Sequence, residues 1–571
     1  MNKFRTACTV VILGASSMQM SAGGLLTNTN QSIAFLRNPA RDAVIAIDGV
    51  YTNPAGVAFL DNGFHLSINL QNAHQTRTIT STFAPYAYGV NNNGSSTKQF
   101  KGKADAPIIP SIQAAYNKGK WSYQFNFALT GGGGKCVFDD GLGSFESTVA
   151  MLPLLSQNMD ALTTQLGIGK LGLPTVSGYD MDTYMRGRQY YFGFTLGAAR
   201  KLNEHWSVYG GLRLLYGTSN YYGYVKNIKA VVGGQSVNAS ETFNNLYEQA
   251  SEAVGKYTEA ALLYQQAAQQ YQAAGDMAKA QDAAAKAQSA AASAKEYTIK
   301  SAMLGGLGEA TQDVTLNCDQ TGWGVAPILG VDYKTGNFNF AAKYEFKTRI
   351  RLKNRAANSA SAANLSILNR YADGLSVAED APALLTLGAQ WSVIPALRLS
   401  AGWHHYFDKD SHQYNNHQSD LAGDTNEYLV GAEYDINKLF TVSAGTQWTN
   451  YQFTDKYMED ISYNVSSQSL GVGFAVNVTK KIKVNVAYFQ TFYKHYNRSS
   501  NDYNDLSEVA GNIVGKVVEG LSGSEASQQA VAATTAMLTT PSSTTGSSLL
   551  SGSDSFTRTN RVIGIGVDFK F

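Results

Sequence analysis

The sequence predicts an all-β protein, a 14-stranded antiparallel transmembrane β-barrel with its N-terminal segment in the lumen and helical insertions in its extracellular loops. Three observations support this fold class. Apolar and polar residues alternate along many segments, tight turns alternate with long connections, and no apolar run is long enough for a membrane-spanning helix. Alternation with one apolar face is typical of a barrel wall. It is clearest in Trp121–Thr130, Phe440–Trp448 and Ile563–Phe571.

Composition excludes several other classes. The chain has 33 Tyr and 54 Gly, and only 15% of its residues are charged, which is unusual for a cytosolic enzyme. Its net charge of +2 gives no reason to expect a nucleic-acid partner. Because roughly 18 consecutive apolar residues are needed for a spanning helix and none occur, membrane insertion must use strands.

The N-terminus resembles an export signal. Lys3 and Arg5 precede an apolar stretch, Thr6–Ala15, and small residues follow at Ser21–Gly23. We therefore expect a signal peptide over residues 1–22 and a location in the outer membrane of a Gram-negative bacterium. Cys8 lies in this signal and leaves Cys136 and Cys318, which could pair in an oxidising compartment or stay free.

The 14 strands are placed by alternation and by turn residues. Their predicted ranges are 64–75, 107–117, 121–130, 182–201, 205–228, 311–333, 336–353, 381–393, 396–408, 425–435, 438–451, 462–477, 481–497 and 556–571. The links after even-numbered strands are tight, whereas those after odd-numbered strands are mostly long. Short periplasmic turns and long extracellular loops are the arrangement of outer-membrane barrels. The barrel domain is therefore predicted over residues 64–571.

Three of the long loops carry helix-forming sequence, at about 142–170, 240–310 and 505–540. The second is predicted to be a helical hairpin that turns at Gly275. In the last loop, 498–555, we expect a short helix over 506–521 together with mobile sequence rich in Ser, Thr and Gly. The first has an apolar stripe outside the membrane band, which predicts a hydrophobic ligand-binding groove. The stripe residues are Met151, Leu154, Leu155, Leu162 and Leu166.

Two polar groups have alternative interpretations. On the seventh strand Lys347, Arg349 and Arg351 are expected to share the lumen face, either as ordinary polar lining or as a receptor for a carboxylate head group. The histidines near the loop after the ninth strand could hold a metal, but their irregular spacing favours a solvated surface, and we expect no metal site. These histidines are His404, His405, His412 and His417.

Residues 23–63 precede the first strand and are too few for a domain, so we expect a plug inside the lumen. The segment Ala43–Leu60 reads AVIAIDGVYTNPAGVAFL. Here the chain resembles the FadL/TodX family of outer-membrane transporters for long-chain fatty acids and other hydrophobic compounds, in which such a motif closes an N-terminal hatch. The resemblance assigns Asn53, Pro54 and Ala55 as gate residues. The earlier copy Asn38–Ala40 lacks the flanking pattern and is interpreted as coincidence.

The resemblance implies a passive channel that needs no cofactor. A hydrophobic compound is captured by the extracellular loops and leaves through an opening in the barrel wall near a kinked third strand. In this chain Gly131–Gly134 follows the predicted third strand, so the run is either that opening or a flexible loop hinge. The hinge interpretation is favoured because glycine runs commonly mark loops.

Two rival functions belong to other classes. An enzyme is not expected, because no nucleophile motif of the Gly-x-Ser-x-Gly type stands out. A general porin or a surface adhesin is the stronger alternative, since large helical loops suit attachment. The expected partners are hydrophobic small molecules such as long-chain fatty acids, together with outer-membrane lipids, and the protein is expected to be a monomer.

Overall fold

Fourteen antiparallel strands close into one barrel, which confirms the predicted fold class. The computed structural model describes residues 27–165, 169–361, 366–460, 462–522 and 524–571. The predicted signal peptide, residues 1–22 with Cys8, lies outside the described residues. In chain order the wall strands are β1 (Gly63–Phe83), β2 (Thr97–Lys118), β3 (Trp121–Phe138), β4 (Val176–Lys201), β5 (Trp206–Val232), β6 (Val314–Thr335), β7 (Phe338–Glu345 and Arg351–Ala356), β8 (Ser376–Ala378 and Leu384–Ile394), β9 (Leu397–Tyr406), β10 (Thr425–Asp435), β11 (Phe440–Asn450), β12 (Ser467–Asn477), β13 (Ile482–Tyr493 and Tyr496–Ser500) and β14 (Gly552–Lys570).

Each wall strand pairs with the next, and β1 closes the barrel against β14 from His65–Lys570 to Phe83–Gly552. A short strand, Gln235–Asn238, adds a hairpin to the end of β5. Outward side chains are apolar, as at Ile563, which is 54% exposed. Several strands extend further toward the long-loop rim than alternation predicted. Beyond the apolar band the outward side chains become polar, whereas inward ones such as Ile79 and Phe100 join the apolar cluster under the loop helices. The hydrogen-bonded ladder therefore continues where the outward apolar signal ends.

Five helices lie at the long-loop rim: α2 (Gly143–Gln165), α3 (Ala239–Ala273), α4 (Met277–Ala310), α5 (Leu506–Ser522) and α6 (Ser524–Thr539). The predicted hairpin is α3 and α4, and Gly275 adopts a left-handed φ of 79° at its turn. The helix α6 lies within the helical insertion expected at about 505–540, beyond the helix expected over 506–521. This segment is rich in alanine, a strong helix former, and it buries Ala530 and Leu538. Among the described residues, no helix combines the length and apolarity that crossing a membrane requires.

The described N-terminal residues 27–62, here called the hatch, lie inside the barrel. They contain a short helix, α1 (Ile33–Arg37), whose N-cap Ser32 accepts a hydrogen bond from Phe35 N–H. Almost every hatch side chain up to Ala58 is buried. The hatch contacts wall strands all around the barrel. These include Asn69 on β1 and Gly566 on β14, the two strands that meet where the barrel closes.

Glycines on the lumen face leave the space that the hatch fills. A Cβ atom at any of seven positions would collide with hatch residues 33–43. We call this set the glycine seat: Gly388, Gly402, Gly431, Gly445, Gly471, Gly473 and Gly564. From sequence, Asn38 and Pro39 were interpreted as part of a coincidental copy of the motif. In the structure Asn38 packs against Gly431, and Pro39 packs against Gly445.

The expectation of a shared basic face on β7 is wrong. The strand breaks between Glu345 and Arg351, and across this break the burial pattern shifts by one residue. A one-residue shift reverses every later side chain. Arg349 and Arg351 therefore point outward, and Lys347 is bonded to the Asp410 carbonyl across 2.6 Å.

Candidate gate and ligand pathway

The ladder between β2 and β3 is interrupted. Ala104 pairs with Cys136, and pairing resumes only at Ile112 with Phe127. Between these points the backbones of residues 105–111 and 128–135 are not paired with each other. We call this unpaired stretch the wall gap, and Ile108 within it is 68% exposed.

Residue types on both sides explain the gap. On β2 it contains Pro107 and Pro110, which have no N–H to donate to a neighbouring strand. On β3 two bulges interrupt the register against β4, at Leu129/Gly131 and Gly132/Gly134. Gly132 and Gly134 have left-handed φ values of 74° and 86°, which side chains with a Cβ rarely adopt. The favoured interpretation of Gly131–Gly134 as a loop hinge is therefore wrong, because the run forms a kink within β3.

The beginning of the hatch is bonded to this kink. Asn28 N–H donates to the Thr130 carbonyl across 2.8 Å, and its side chain donates to the Gly132 carbonyl, also across 2.8 Å. The Gln31 amide donates to the Leu129 carbonyl across 3.0 Å. The hatch thus donates hydrogen bonds to β3 carbonyl groups within the stretch where β2 is not paired with β3. Sequence analysis missed these contacts, because nothing in residues 27–31 marks them locally.

A cavity lies directly behind the kink, with Thr27 and Gly131 in its wall. Its lining combines apolar side chains with one buried ion pair, between Arg213 and Glu345. Lys343 also pairs with Glu345, across 2.7 Å. The other lining residues are Thr130, Tyr191, Leu215, Ala326, Ile328, Phe346, Thr348, Ala381 and Pro382.

The predicted gate residues lie deeper, toward the short-turn rim. Asn53 donates to the Asp332 carboxylate on β6 across 2.6 Å. The carbonyls of Pro54 and Ala55 accept from Gln124 on β3 and Ser207 on β5, each across 2.7 Å. The tripeptide therefore bridges three wall strands.

A histidine clamp also joins the hatch to the wall. His404 on β9 is bonded through one ring nitrogen to Asp42 across 3.0 Å and through the other to Glu427 across 2.9 Å. The sequence interpretation of His404 as solvated is wrong, since the side chain is 3% exposed. The other three histidines are not fully buried. Among the described residues no group of His, Cys, Asp and Glu could hold a metal ion.

The loop helices enclose a second cavity, which is apolar. Met151 and Leu155 of α2 line it opposite Leu307 of α4 and Ile513 of α5. Leu154 is buried in the same apolar cluster, which continues down to Cys136. Leu162 lies in α2, while Leu166 falls outside the described residues. Cys136 and Cys318 are both buried and free.

One solved structure shares this architecture, and two others are less similar. A FadL homologue from Pseudomonas aeruginosa has a TM-score of 0.53 to this chain, at 10% identity over 96% of this chain and 100% of that one. The chain has the fold of that FadL homologue. The toluene transporters TodX from P. putida and TbuX from Ralstonia pickettii each have a TM-score of 0.45, at 11% and 12% identity. TodX is matched over 92% of this chain and 94% of its own, and TbuX over 95% and 99%.

No family model matches the chain, and no curated protein matches it. The FadL-like fold predicted from the sequence resemblance is confirmed by the P. aeruginosa structure.

Proposed function

We propose that this protein is an outer-membrane channel for the passive uptake of hydrophobic compounds such as long-chain fatty acids. The compound enters the apolar cavity among the loop helices, passes to the cavity behind the β3 kink, and leaves laterally between β2 and β3. The observation that carries this proposal is the unpaired stretch of β2 and β3, where the hatch bonds to the β3 backbone.

The physical argument concerns backbone hydrogen bonds. An unsatisfied N–H or C=O group in hydrocarbon costs several kcal/mol, so a wall gap needs a substitute partner. Asn28 and Gln31 provide one for the β3 carbonyls. When the hatch withdraws, the gap can admit a hydrophobic compound that needs no hydrogen bonds.

A general porin is less well supported. A polar solute needs a continuous aqueous lumen, whereas the hatch side chains up to Ala58 are packed against the wall. The wall gap, in addition, leads toward lipid, where a polar solute would not partition.

The test is a reversible lock on the hatch. Thr27 and Gly131 are directly opposed in an antiparallel bridge, so Thr27→Cys with Gly131→Cys places two thiols at disulfide distance. Oxidised protein in liposomes should take up decanoic acid and toluene at a small fraction of the wild-type rate, and dithiothreitol should restore it. The single variants are the controls, and they should be insensitive to oxidant.

Uptake at the wild-type rate by the locked protein would contradict lateral release past the hatch. Uptake of polar sugars at a rate similar to that of decanoic acid would favour the porin.

A further inference from the structure

Four basic residues lie on the outward face of the wall, at the long-loop end of β7. All four are exposed, and the residues that alternate with them are buried. Because successive side chains of a strand point to opposite faces, the four side chains point away from the lumen. We call this set the basic ladder: Arg349, Arg351, Lys353 and Arg355.

The charge of the basic ladder is only partly compensated. Arg351 donates to the Asp380 carboxylate across 2.9 Å, and its side chain remains 53% exposed. In the ranges that the structure describes, no Asp or Glu forms an ion pair with the other three ladder residues. Asp319 is opposite Arg355 in the strand register, but it accepts from Asn220 across 2.9 Å instead. The ladder therefore presents several positive charges to its surroundings.

The basic ladder begins where the apolar band of the wall ends. On the neighbouring strand β6, the outward side chains change from Val325 and Trp323 to Thr321 toward the long-loop rim. Lys353 is directly opposite Thr321 in the register. Tryptophan is typical of the interface between membrane and water. The ladder thus lies at the level of the lipid head groups.

The side chains beside the ladder are small. Lys353 lies between Thr321 on β6 and Ser376 on β8, and Arg351 is opposite Ala378. Short neighbours leave the ammonium and guanidinium groups accessible, and the two hydroxyl groups can donate hydrogen bonds to an anion. An anionic group can therefore approach the ladder from the lipid side.

A cleft of about 330 Å³ adjoins the ladder, and we call it the aromatic cleft. Its rings are those of Tyr344, Phe346 and Phe407, and two lysines, Lys347 and Lys409, also line it. Rings can pack against an acyl chain, while lysines close to them can contact a charged head group. The cleft therefore suits an amphiphile. The other lining residues are Ala383, Asp410, His412 and Gln418.

We propose that the basic ladder and the aromatic cleft bind a phosphorylated lipid of the outer leaflet. The phosphate groups contact the ladder, since arginine offers a planar fork that matches phosphate and lysine adds a compact charge. An acyl chain lies in the cleft. The long-loop rim of outer-membrane barrels faces the exterior, so the lipid within reach is lipid A, a glycolipid with two phosphate groups. This inference goes beyond the proposed function, because the ladder faces lipid and not the lumen.

The test compares lipid A with the same lipid after enzymatic removal of both phosphates. Native mass spectrometry measures binding of each lipid to the full-length protein in a neutral detergent. Wild type should prefer the phosphorylated lipid by about tenfold or more, the scale of two charge-assisted bonds. Arg349→Gln combined with Lys353→Gln should abolish this preference and leave the affinity for the dephosphorylated lipid unchanged.

Lys118→Gln combined with Lys438→Gln is the matched control. Both lysines are exposed at the short-turn rim, so this variant changes the net charge by the same amount and should keep the wild-type preference. Heat-modifiable gel migration checks that each variant assembles. If the double ladder variant does not, Lys353→Gln alone serves instead and should weaken binding of lipid A severalfold.

Three results would overturn the lipid site. Equal affinity of wild type for the two lipids would show that the phosphates are not recognised. An equal loss in the control variant would assign the preference to net charge. Inorganic phosphate that binds wild type as tightly as lipid A would show a simple anion site.

The channel function is tested separately on the same ladder variant. Its uptake of decanoic acid in phosphatidylcholine liposomes should equal that of wild type, because these liposomes contain no lipid A. A fall in uptake would place the ladder on the uptake pathway and overturn its assignment to a membrane lipid.

Discussion

The Asn53 amide donates a hydrogen bond to the Asp332 carboxylate across 2.6 Å, and this contact fastens the hatch to β6. Asp332 is fully buried, and the same oxygen accepts from Asn339 across 2.7 Å. Asn53 also accepts from Gly56 N–H across 3.1 Å, so one side chain closes its own turn and anchors it. This double role gives a physical reason for asparagine at the first position of the gate motif.

Replacing Asn53 by leucine, of similar size, should loosen the hatch. The variant loses the bond to Asp332 and the turn closure, which together stabilise by about 2 kcal/mol. Limited trypsin digestion should cut residues 27–62 faster than in wild type, while heat-modifiable gel migration still shows an assembled barrel. Asn337→Leu, at an exposed turn, is the control. Equal digestion of both variants would show that the anchor contributes little.

Filling the glycine seat should displace the hatch. A Cβ at Gly431 would collide with the Asn38 side chain, so Gly431→Val cannot keep the hatch in place. We expect a higher single-channel conductance in planar bilayers, because the lumen opens. Gly210→Val is the control, since nothing lies within 4 Å of a Cβ there. Wild-type conductance in a folded Gly431→Val protein would contradict the claim that these glycines are needed to hold the hatch in the lumen.

The stripe on α2 should contribute to ligand capture. Leu155 lines the apolar loop cavity, and a carboxylate there would be buried among Leu307 and Ile513. Leu155→Asp should weaken binding of toluene and decanoic acid about tenfold or more, and the milder Leu155→Ala should weaken it less. Leu263→Asp on α3, where the leucine is 58% exposed, is the control. If the Leu155→Asp protein folds and its affinity is unchanged, the stripe only packs the loop helices together and does not bind ligand.

The attachment of α2 should depend on pH. Asp460, in the loop between β11 and β12, accepts from Ser144 N–H at the start of α2 across 2.7 Å. Burial raises the pKa of Asp460 from 3.8 to about 6. The folded state therefore binds this proton more tightly than the unfolded chain, and stability falls as pH rises from about 4 to about 6.

Hydrogen exchange of the first turn of α2, corrected for intrinsic rates, should show more protection at pH 4.5 than at pH 7. Asp460→Asn keeps an acceptor without the charge, so it should remove this difference. Asp282→Asn, on the exposed surface of α4, should leave it unchanged. A pH difference that persists in Asp460→Asn would assign it to another group.

The sequence by itself determined the strands, their number and the hatch. Alternation of period two is a local property, so segments such as Ile563–Phe571 identify their lipid-facing side without reference to any partner. Helix propensity is equally local, which is why α5 and the α3–α4 hairpin were predicted. A local signal fails at the break in β7, because alternation within one segment does not show where the strand stops and its faces exchange.

Only the tertiary structure decided where the strand pairing of the wall is interrupted and what faces the lumen. The unpaired stretch of β2 and β3 depends on proline in one strand and glycine bulges in the other. His404 meets Asp42 and Gly431 meets Asn38, and in both contacts the two residues lie far apart in the sequence. Such contacts arise from barrel closure and register, and because neither is encoded within one segment, no local pattern could have predicted them.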